Sequence, residues 1–475
     1  MMQLAVEKTN PAASYEQKHG DSSTYDVCVI GAGVAGAAMA AYLGKAGKRV
    51  VVIEKDFSEQ DRIVGELLQP GGVIKLQELG LADCLENIDA ATVTGYAIFK
   101  KDRQIQISYP DHYTGRGFRN GKFVQNLRKK LAEYENITRI EGMVTELKKN
   151  ELGKIVGVNY DDRQTGISYS IHADLTIVCD GFFSVFRKEL SQNQSSVSGF
   201  FLGIILKNAP LPHAGHGHVF ITDHSPFLAY PVSSTETRML IDFPGTMPPK
   251  KSPELKKELK VKVLPFLPAE MHTSFLEAID EGDFKVMPNH YMPGKPYFGA
   301  GAVLLGDALT MRHPLTGGGM TASFTDVLAL GKLILQHDIK DSVESQRTIW
   351  GFYRPKRRDN STINILADAL YRVFRDKKLA DACFDYLARG GKFAEEPVSI
   401  LSGISRDKNL LITHFFAVAR YGAGNIRKNG GSLGDAYQMI RSAFQIVYPL
   451  ILNEKPRLSE KIVMKLGSVF FPPQK

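Results

Sequence analysis

The stretch GAGVAG, Gly31 to Gly36, follows the apolar run YDVCVI and opens an alanine-rich segment; the next apolar run, KRVVVIE, ends in Glu54, eighteen residues past Gly36. Strand, glycine turn, helix and acid in this register form the context that a dinucleotide fingerprint requires, whereas a lone GxGxxG would leave a plain βαβ turn equally open. Gly31 permits the tight turn, Gly33 lets the backbone approach a pyrophosphate, Gly36 lets helix and strand pack closely, and the helix N-terminus faces the phosphate charge. Glu54 is placed to accept hydrogen bonds from ribose hydroxyls.

A second glycine-rich stretch, GDALTMRHPLTGGGM, Gly306 to Met320, complements the first. AGAVLL, Ala300 to Leu305, reads as a buried strand, so Gly306 and Asp307 stand at its C-terminal edge, where ligands of α/β sheets collect and a carboxylate suits a ribityl hydroxyl. Gly317, Gly318 and Gly319 then lead into MTASFTDVLALGKLIL, a helix whose first N–H groups are suited to stabilise negative charge on a reduced isoalloxazine. Together the two stretches specify FAD rather than NAD. After Gly36 no further glycine fingerprint occurs in a strand-turn-helix context, which points to a borrowed reductant.

The strings DRIVGELLQPGG (Asp61 to Gly72), CDGFFSVFRKEL (Cys179 to Leu190) and GDALTMRHPLTGGGM resemble the squalene epoxidases. The likeness runs from about Tyr25 to about Ala419, through SYP (Ser108 to Pro110), MPNHYMP (Met287 to Pro293) and HFFAVA (His414 to Ala419). It implies FAD- and O2-dependent epoxidation of squalene to (S)-2,3-epoxysqualene through a flavin C4a-hydroperoxide, with electrons from NADPH-cytochrome P450 reductase. It also implies a monotopic place on the endoplasmic reticulum membrane, with lipid droplets as a second location. Val34, Ala35, Glu54, Lys55, Arg62, Leu67, Arg128, Val144, Asp307 and Met320 match family contacts to FAD; Arg62 and Arg128 carry the guanidinium fork that suits phosphate. Tyr109 matches an active-site tyrosine, with Gln69 as its expected hydrogen-bond partner, in a positioning role. Asp180 and Arg187 are expected to support the junction between flavin and substrate lobes. One departure is the short DHYTGRGFRN after Pro110, where fungal members carry a longer acidic insert. The residues alone leave two alternatives open: another FAD-dependent monooxygenase or reductase of isoprenoid or aromatic substrates, and a flavoprotein-like escort that holds prenyl lipid without turnover.

With 475 residues, 43% hydrophobic and 23% charged, the chain can bury a large core in two or three lobes. The four cysteines are widely spaced and read as buried thiols. The net charge of +8 is uneven: positions 346–475 hold 22 Lys and Arg against 11 Asp and Glu, which leaves the rest of the chain at −3. No nucleic-acid-binding motif accompanies that basic region, so an anionic membrane surface fits it better than nucleic acid. NLLITHFFAVA (Asn409 to Ala419) and SAFQIVYPLIL (Ser442 to Leu452) are too short to span a bilayer, and with flanking Arg420, Arg427, Lys428, Arg441 and Lys455, and Phe470-Phe471, they read as interfacial helices. No apolar h-region precedes Tyr25, so neither a secretory signal nor an N-terminal anchor is expected. PHAGHGH, Pro212 to His218, lacks an accompanying carboxylate or cysteine cluster and reads as loop and strand, with no metal.

The expected fold is α/β: a discontinuous Rossmann-like FAD-binding domain of flavoprotein monooxygenase type, an inserted antiparallel-sheet substrate domain and a C-terminal helical membrane-associated region. The boundaries are a disordered tail at 1–24, FAD-binding pieces at 25–95, 120–190 and 299–345, substrate-domain strands at 96–119, the substrate domain at 191–298 and the helical region at 346–475. By hydrophobicity, Phe200 to Leu206, Phe227 to Tyr230 and MPNHYMP are candidate walls of an apolar substrate tunnel.

Overall fold

YDVCVI is buried from Val27 to Ile30 and forms the strand Thr24–Ile30; the computed structural model describes residues 24–191, 193–295, 299–353 and 360–454. Thr24 therefore opens a strand, while the rest of the expected N-terminal tail lies outside the described residues, as do Lys455, Phe470 and Phe471. The first strand pairs in parallel with Val50–Glu54 on one side and Ser168–Val178 on the other, and Ile137–Lys149 and Ala302–Leu304 extend this sheet. Strand Ile155–Asp162 runs antiparallel to the far halves of Ile137–Lys149 and Ser168–Val178 and bridges them. The central strands are near-continuous runs of Val and Ile because both faces are covered. Helices α1 (Val34–Lys45), α2 (Asn120–Lys130) and α3 (Gly319–Gln336) share the resulting core.

The second sheet has seven strands in the order Lys285–Tyr291, Ser196–Lys207, Glu236–Pro244, Phe227–Pro231, His216–Phe220, Gly95–Lys100 and Arg103–Ser108. All its pairings are antiparallel except His216–Phe220 with Gly95–Lys100. Its period-two alternation separates two cores. Phe227, Ala229, Leu202 and Ile204 pack towards helices Pro253–Lys262 and His272–Glu281, whereas Leu228, Tyr230 and Phe201 face the C-terminal helices. Only alternate residues of the strands expected to wall a tunnel therefore face that side. A small third sheet pairs Gly115–Gly117 with Leu67–Leu68 on one side and Ala91–Val93 on the other. Gly95 already belongs to the seven-stranded sheet, and helix Ser342–Tyr353 runs across position 345.

The C-terminal helices are α4 (Ser361–Arg375), α5 (Lys377–Leu387), α6 (Lys392–Leu401), α7 (Lys408–Lys428) and α8 (Leu433–Asn453). Their starts are marked by side chains that accept orphan N–H groups: Asp376 for α5, Asp407 for α7 and a Ser432–Asp435 capping box for α8. The two apolar runs lie in helices of 21 residues each, longer than the runs themselves, because GAGN is absorbed into α7 and only the residues around Gly430 and Gly431 make a turn. No described helix is long and apolar enough to cross a membrane.

Helix α5 docks on the hairpin of Gly95–Lys100 and Arg103–Ser108 through Phe384, which is fully buried with Arg103 4.7 Å and Lys100 5.6 Å from its ring centroid, and through the ion pairs Lys100–Asp381 and Arg103–Asp385. Burial dominates this contact. Phe384→Ala is expected to cost about 3–5 kcal/mol, and Asp385→Ala, which breaks an exposed pair, under about 1 kcal/mol; denaturant unfolding of both variants checks the order.

Candidate active site

Three segments meet at the first glycine turn. A Cβ on Gly31 (φ +93°) would lie 2.7 Å from the Cys179 carbonyl oxygen, and one on Gly36 would lie 1.9 Å from the Gly31 carbonyl oxygen, so neither position has room for a side chain. A Cβ on Gly33 would meet nothing within 4 Å, which is the unobstructed backbone a pyrophosphate needs. Val34 and Ala35 form the half-buried first turn of α1. Glu54 accepts from the Ala32 N–H at 2.7 Å and from the Asp56 N–H at 3.1 Å. Arg128, buried on α2, donates to the carbonyls of Ala32 at 2.9 Å and Ser58 at 3.1 Å, and lies 3.6 Å from Glu54. Burial pulls its guanidinium below its ordinary pKa, opposed by Glu54 and Asp56. Both residues expected to touch the nucleotide directly thus also brace the Ala32 peptide.

Arg187 staples two motifs. Its guanidinium donates to the carbonyls of Gly181 and Phe182, each at 3.0 Å, of Asp307 at 2.9 Å and of Ala308 at 3.0 Å. Asp180 accepts from the Val185 N–H at 2.8 Å through Oδ2, while its buried Oδ1 has no partner. Gly306 (φ +65°) stands against α1, where an added Cβ would come 3.0 Å from that of Ala35. The Asp307 side chain is reachable by solvent, yet the protein atoms around it raise its carboxyl pKa against the pull of Arg312, Arg62 and Arg187.

The third group centres on Gln69, fully buried at the start of helix Pro70–Glu78. Tyr109 Oη donates to Gln69 Oε1 at 2.9 Å; Gln69 Nε2 donates to the Thr316 carbonyl at 2.8 Å and to Tyr96 Oη. The two tyrosine rings meet edge to face at 5.7 Å, and burial raises both phenols, so they stay neutral. Gly317 (φ +62°) passes so close that a Cβ would lie 3.2 Å from Gln69 Nε2, and Leu67 is buried beside it. Gly318 lies against Ile363 of α4, Gly319 opens α3, and Met320 is buried in its first turn. His313 caps the preceding turn by accepting the Leu315 N–H at Nδ1, and burial lowers its pKa to about 3.

These residues fit FAD. Open backbone at Gly33, an unpartnered Asp180 oxygen and the buried, unpartnered hydroxyls of Thr316 and Thr321 on either side of Gly317 to Gly319 supply polar groups beside both glycine stretches. Lys55 and Arg62 are exposed, and Val144 sits in the core of the first sheet, paired with Tyr160; the bonded groups above do not include these three. Sequence reasoning missed Tyr96, Glu66 and Arg238. The signal available for the last two was a charge within an otherwise apolar stretch. Of the PHAGHGH histidines, His216 and His218 are buried in a strand, and among the described residues no three His, Cys, Asp or Glu side chains are placed to hold a metal.

A family model described as squalene epoxidase matches residues 172–440, and one described as FAD dependent oxidoreductase matches residues 26–73. Squalene epoxidase 2, mitochondrial, of Arabidopsis thaliana is 44% identical, covering 96% of this chain and 80% of its own. Squalene epoxidase erg1 of Schizosaccharomyces pombe is 39% identical, covering 90% of this chain and 98% of its own. Among solved structures, Klebsiella pneumoniae HpxO complexed with FAD aligns with a TM-score of 0.63 at 18% identity over 80% of this chain and 99% of that one, a likeness of fold.

Beneath the second glycine stretch lies Asp368, 5% exposed, with Oδ2 unpartnered and its carboxyl raised to about 7 by burial, which outweighs Arg372, the His313 backbone and Arg312. A carboxyl raised in the folded state contributes stability that is full below its unfolded value of 3.8 and is lost as pH rises through about 7. Asp368→Asn is therefore expected to be more resistant to urea than the parent chain at pH 8, with the advantage shrinking towards pH 4; parallel pH profiles would contradict it.

Proposed function

The chain belongs to the squalene epoxidase family, and from that premise we propose that it transfers one oxygen atom of O2 to the 2,3 double bond of squalene, giving (S)-2,3-epoxysqualene. The observation that carries this reading is the junction at Gln69, where the Leu67–Leu68 strand, the Thr316 turn and Tyr109 meet at one carboxamide. When bound, FAD supplies the redox chemistry that makes oxygen electrophilic, and the protein must orient the alkene and exclude water.

Gly31, Gly33, Val34, Ala35, Gly36 and Glu54 would hold the nucleotide end, with Lys55, Arg62, Arg128 and Val144 around it. Asp180, Gly306 and Asp307 would hold the ribityl chain, and Leu67, Gly318, Gly319 and Met320 the ring system. Tyr109 and Gln69 orient rather than exchange protons, since epoxidation needs no deprotonated side chain and both phenols of the pair are held neutral by burial. Apolar residues of the seven-stranded sheet and C-terminal helices beside Tyr109, among them Phe201, Leu228 and Leu240, suit a hydrocarbon and keep water out.

Electrons come from NADPH through NADPH-cytochrome P450 reductase, consistent with a single dinucleotide fingerprint in the sequence. The membrane surface of the endoplasmic reticulum, with lipid droplets as a second place, is met by α8. While Met439, Ala443, Val447 and Leu450 are buried, Leu433, Tyr437, Ile440, Phe444, Tyr448 and Leu452 form an outward stripe at helical spacing, each at least 42% exposed.

Detergent-solubilised protein with FAD, NADPH and O2 is expected to convert labelled squalene to the epoxide only when the reductase is added; flavin binding without that product would move the reading to another FAD-dependent monooxygenase. Replacing both Phe444 and Tyr448 by Glu is expected to weaken sedimentation with anionic vesicles by about tenfold or more, since burying each ring contributes roughly 1.5–3 kcal/mol. Unchanged vesicle binding would remove α8 from the interface.

A further inference from the structure

Side chains alternate along strand Glu236–Pro244. Met239, Ile241 and Phe243 pack towards helices Pro253–Lys262 and His272–Glu281, which leaves Arg238, Leu240 and Asp242 on the face shared with Tyr109 and the C-terminal helices. A buried arginine and a buried aspartate in an apolar strand are costly to desolvate. Each has a definite partner on the flavin side.

Arg238 donates Nε to Glu66 Oε2 at 2.7 Å and Nη2 to Oε1 at 3.1 Å, with both side chains at most 2% exposed. Asp242 accepts from Tyr371 Oη at 3.1 Å and Asn289 Nδ2 at 3.0 Å, with Ser225 as a third donor. Tyr371 in turn stacks on His313, ring centroids 3.7 Å apart. Glu66 lies three residues before Gln69, and His313 three before Thr316, whose carbonyl accepts from Gln69 at 2.8 Å. Two limbs thus leave one strand face and close on the same carboxamide, one through Glu66 and the other through Tyr371 and His313.

We propose that Arg238 and Asp242 are positioning residues for oxygen transfer: four residues apart, roughly 13 Å at about 3.3 Å per residue, they set the spacing between the Leu67–Leu68 strand and the Pro314–Thr316 turn, and with it the place of the Gln69 carboxamide between Tyr96 and Tyr109. Stability alone does not account for the Arg238–Glu66 pair, because a buried ion pair is commonly no more stabilising than apolar residues of similar volume. Its specific geometric effect is to lock the strand that leads into Gln69 to the sheet that faces the substrate side, where a small misplacement of reacting groups is costly in rate.

The inference rests on the squalene-epoxidising reading, and the test separates the two. The full chain carrying Glu66→Leu with Arg238→Met is compared with the parent and with Asp242→Asn. The double variant is expected to fold and bind FAD, yet to show faster amide exchange at residues 66–69 before FAD is added. With FAD and reductase, kcat should fall about tenfold or more, KM for squalene should stay within about threefold, and a larger share of reductant should leave as hydrogen peroxide. Asp242→Asn should give the same split from the other limb. Adding Gln69→Ala to the double variant should then cost little more, because the carboxamide is already displaced.

A folded double variant with parental exchange and kcat overturns the proposal, as does a Gln69→Ala loss that multiplies in full. If the double variant fails to fold, Glu66→Gln is read by the same criteria. A parent chain that forms no epoxide sinks the squalene reading instead, while the exchange comparison still decides whether Arg238 positions Gln69.

Discussion

The backbone contact between Gly36 and Gly31, backed by the Cys179 carbonyl, is the constraint from which the rest follows. With 1.9 Å between an added Gly36 Cβ and the Gly31 oxygen, α1 can start where it does only without a side chain there. That close approach sets the helix N-terminus at the C-terminal edge of the parallel sheet, where a phosphate group meets free N–H groups and the positive end of the helix dipole. It also brings Cys179–Asp180 and Gly306–Asp307, widely separated in the chain, beside the same turn.

Beyond that edge, the two larger sheets share no strand pairing among the described residues. Side chains tie loop to loop at the first sheet's edge, Arg187 linking Gly181 and Phe182 to Asp307 and Ala308 and Arg128 holding Ala32 and Ser58, while Gln69 spans from the Thr316 carbonyl to Tyr96 of the seven-stranded sheet. Charged donors to backbone carbonyls give geometry as well as energy. The C-terminal helices close the arrangement from the other side, where Tyr371 stacks on His313 and Arg312 donates to Asn364 at 2.7 Å.

Local patterns in the sequence were readable because their physics is local. Glycine spacing, the acid at Glu54 and the strand before Gly306 each declare themselves within a few residues, and the Tyr109–Gln69 hydrogen bond followed from a motif resemblance that the geometry reproduces. What escaped depends on long-range pairing. Glu66 and Arg238 are 172 residues apart, and neither predicts the other until the seven-stranded sheet is assembled. Hydrophobicity marks Phe200 to Leu206 and Phe227 to Tyr230 without saying which of their residues share a face, because a strand between two cores gives each only every second residue. Tyr96 was equally hidden, since its role comes from the register that sets Gly95–Lys100 against Arg103–Ser108.

The close approach of Gly36 to Gly31 is tested by an FAD titration, followed by flavin fluorescence, of the parent chain and of Gly36→Ala after both are shown to be folded by circular dichroism. The parent is expected to bind FAD, and the alanine variant, folded but with α1 pushed off the Gly31 carbonyl, to lose most of that affinity. Equal affinity in the two would contradict it, because the flavin would then be held without the close backbone approach on which the rest of the site is built.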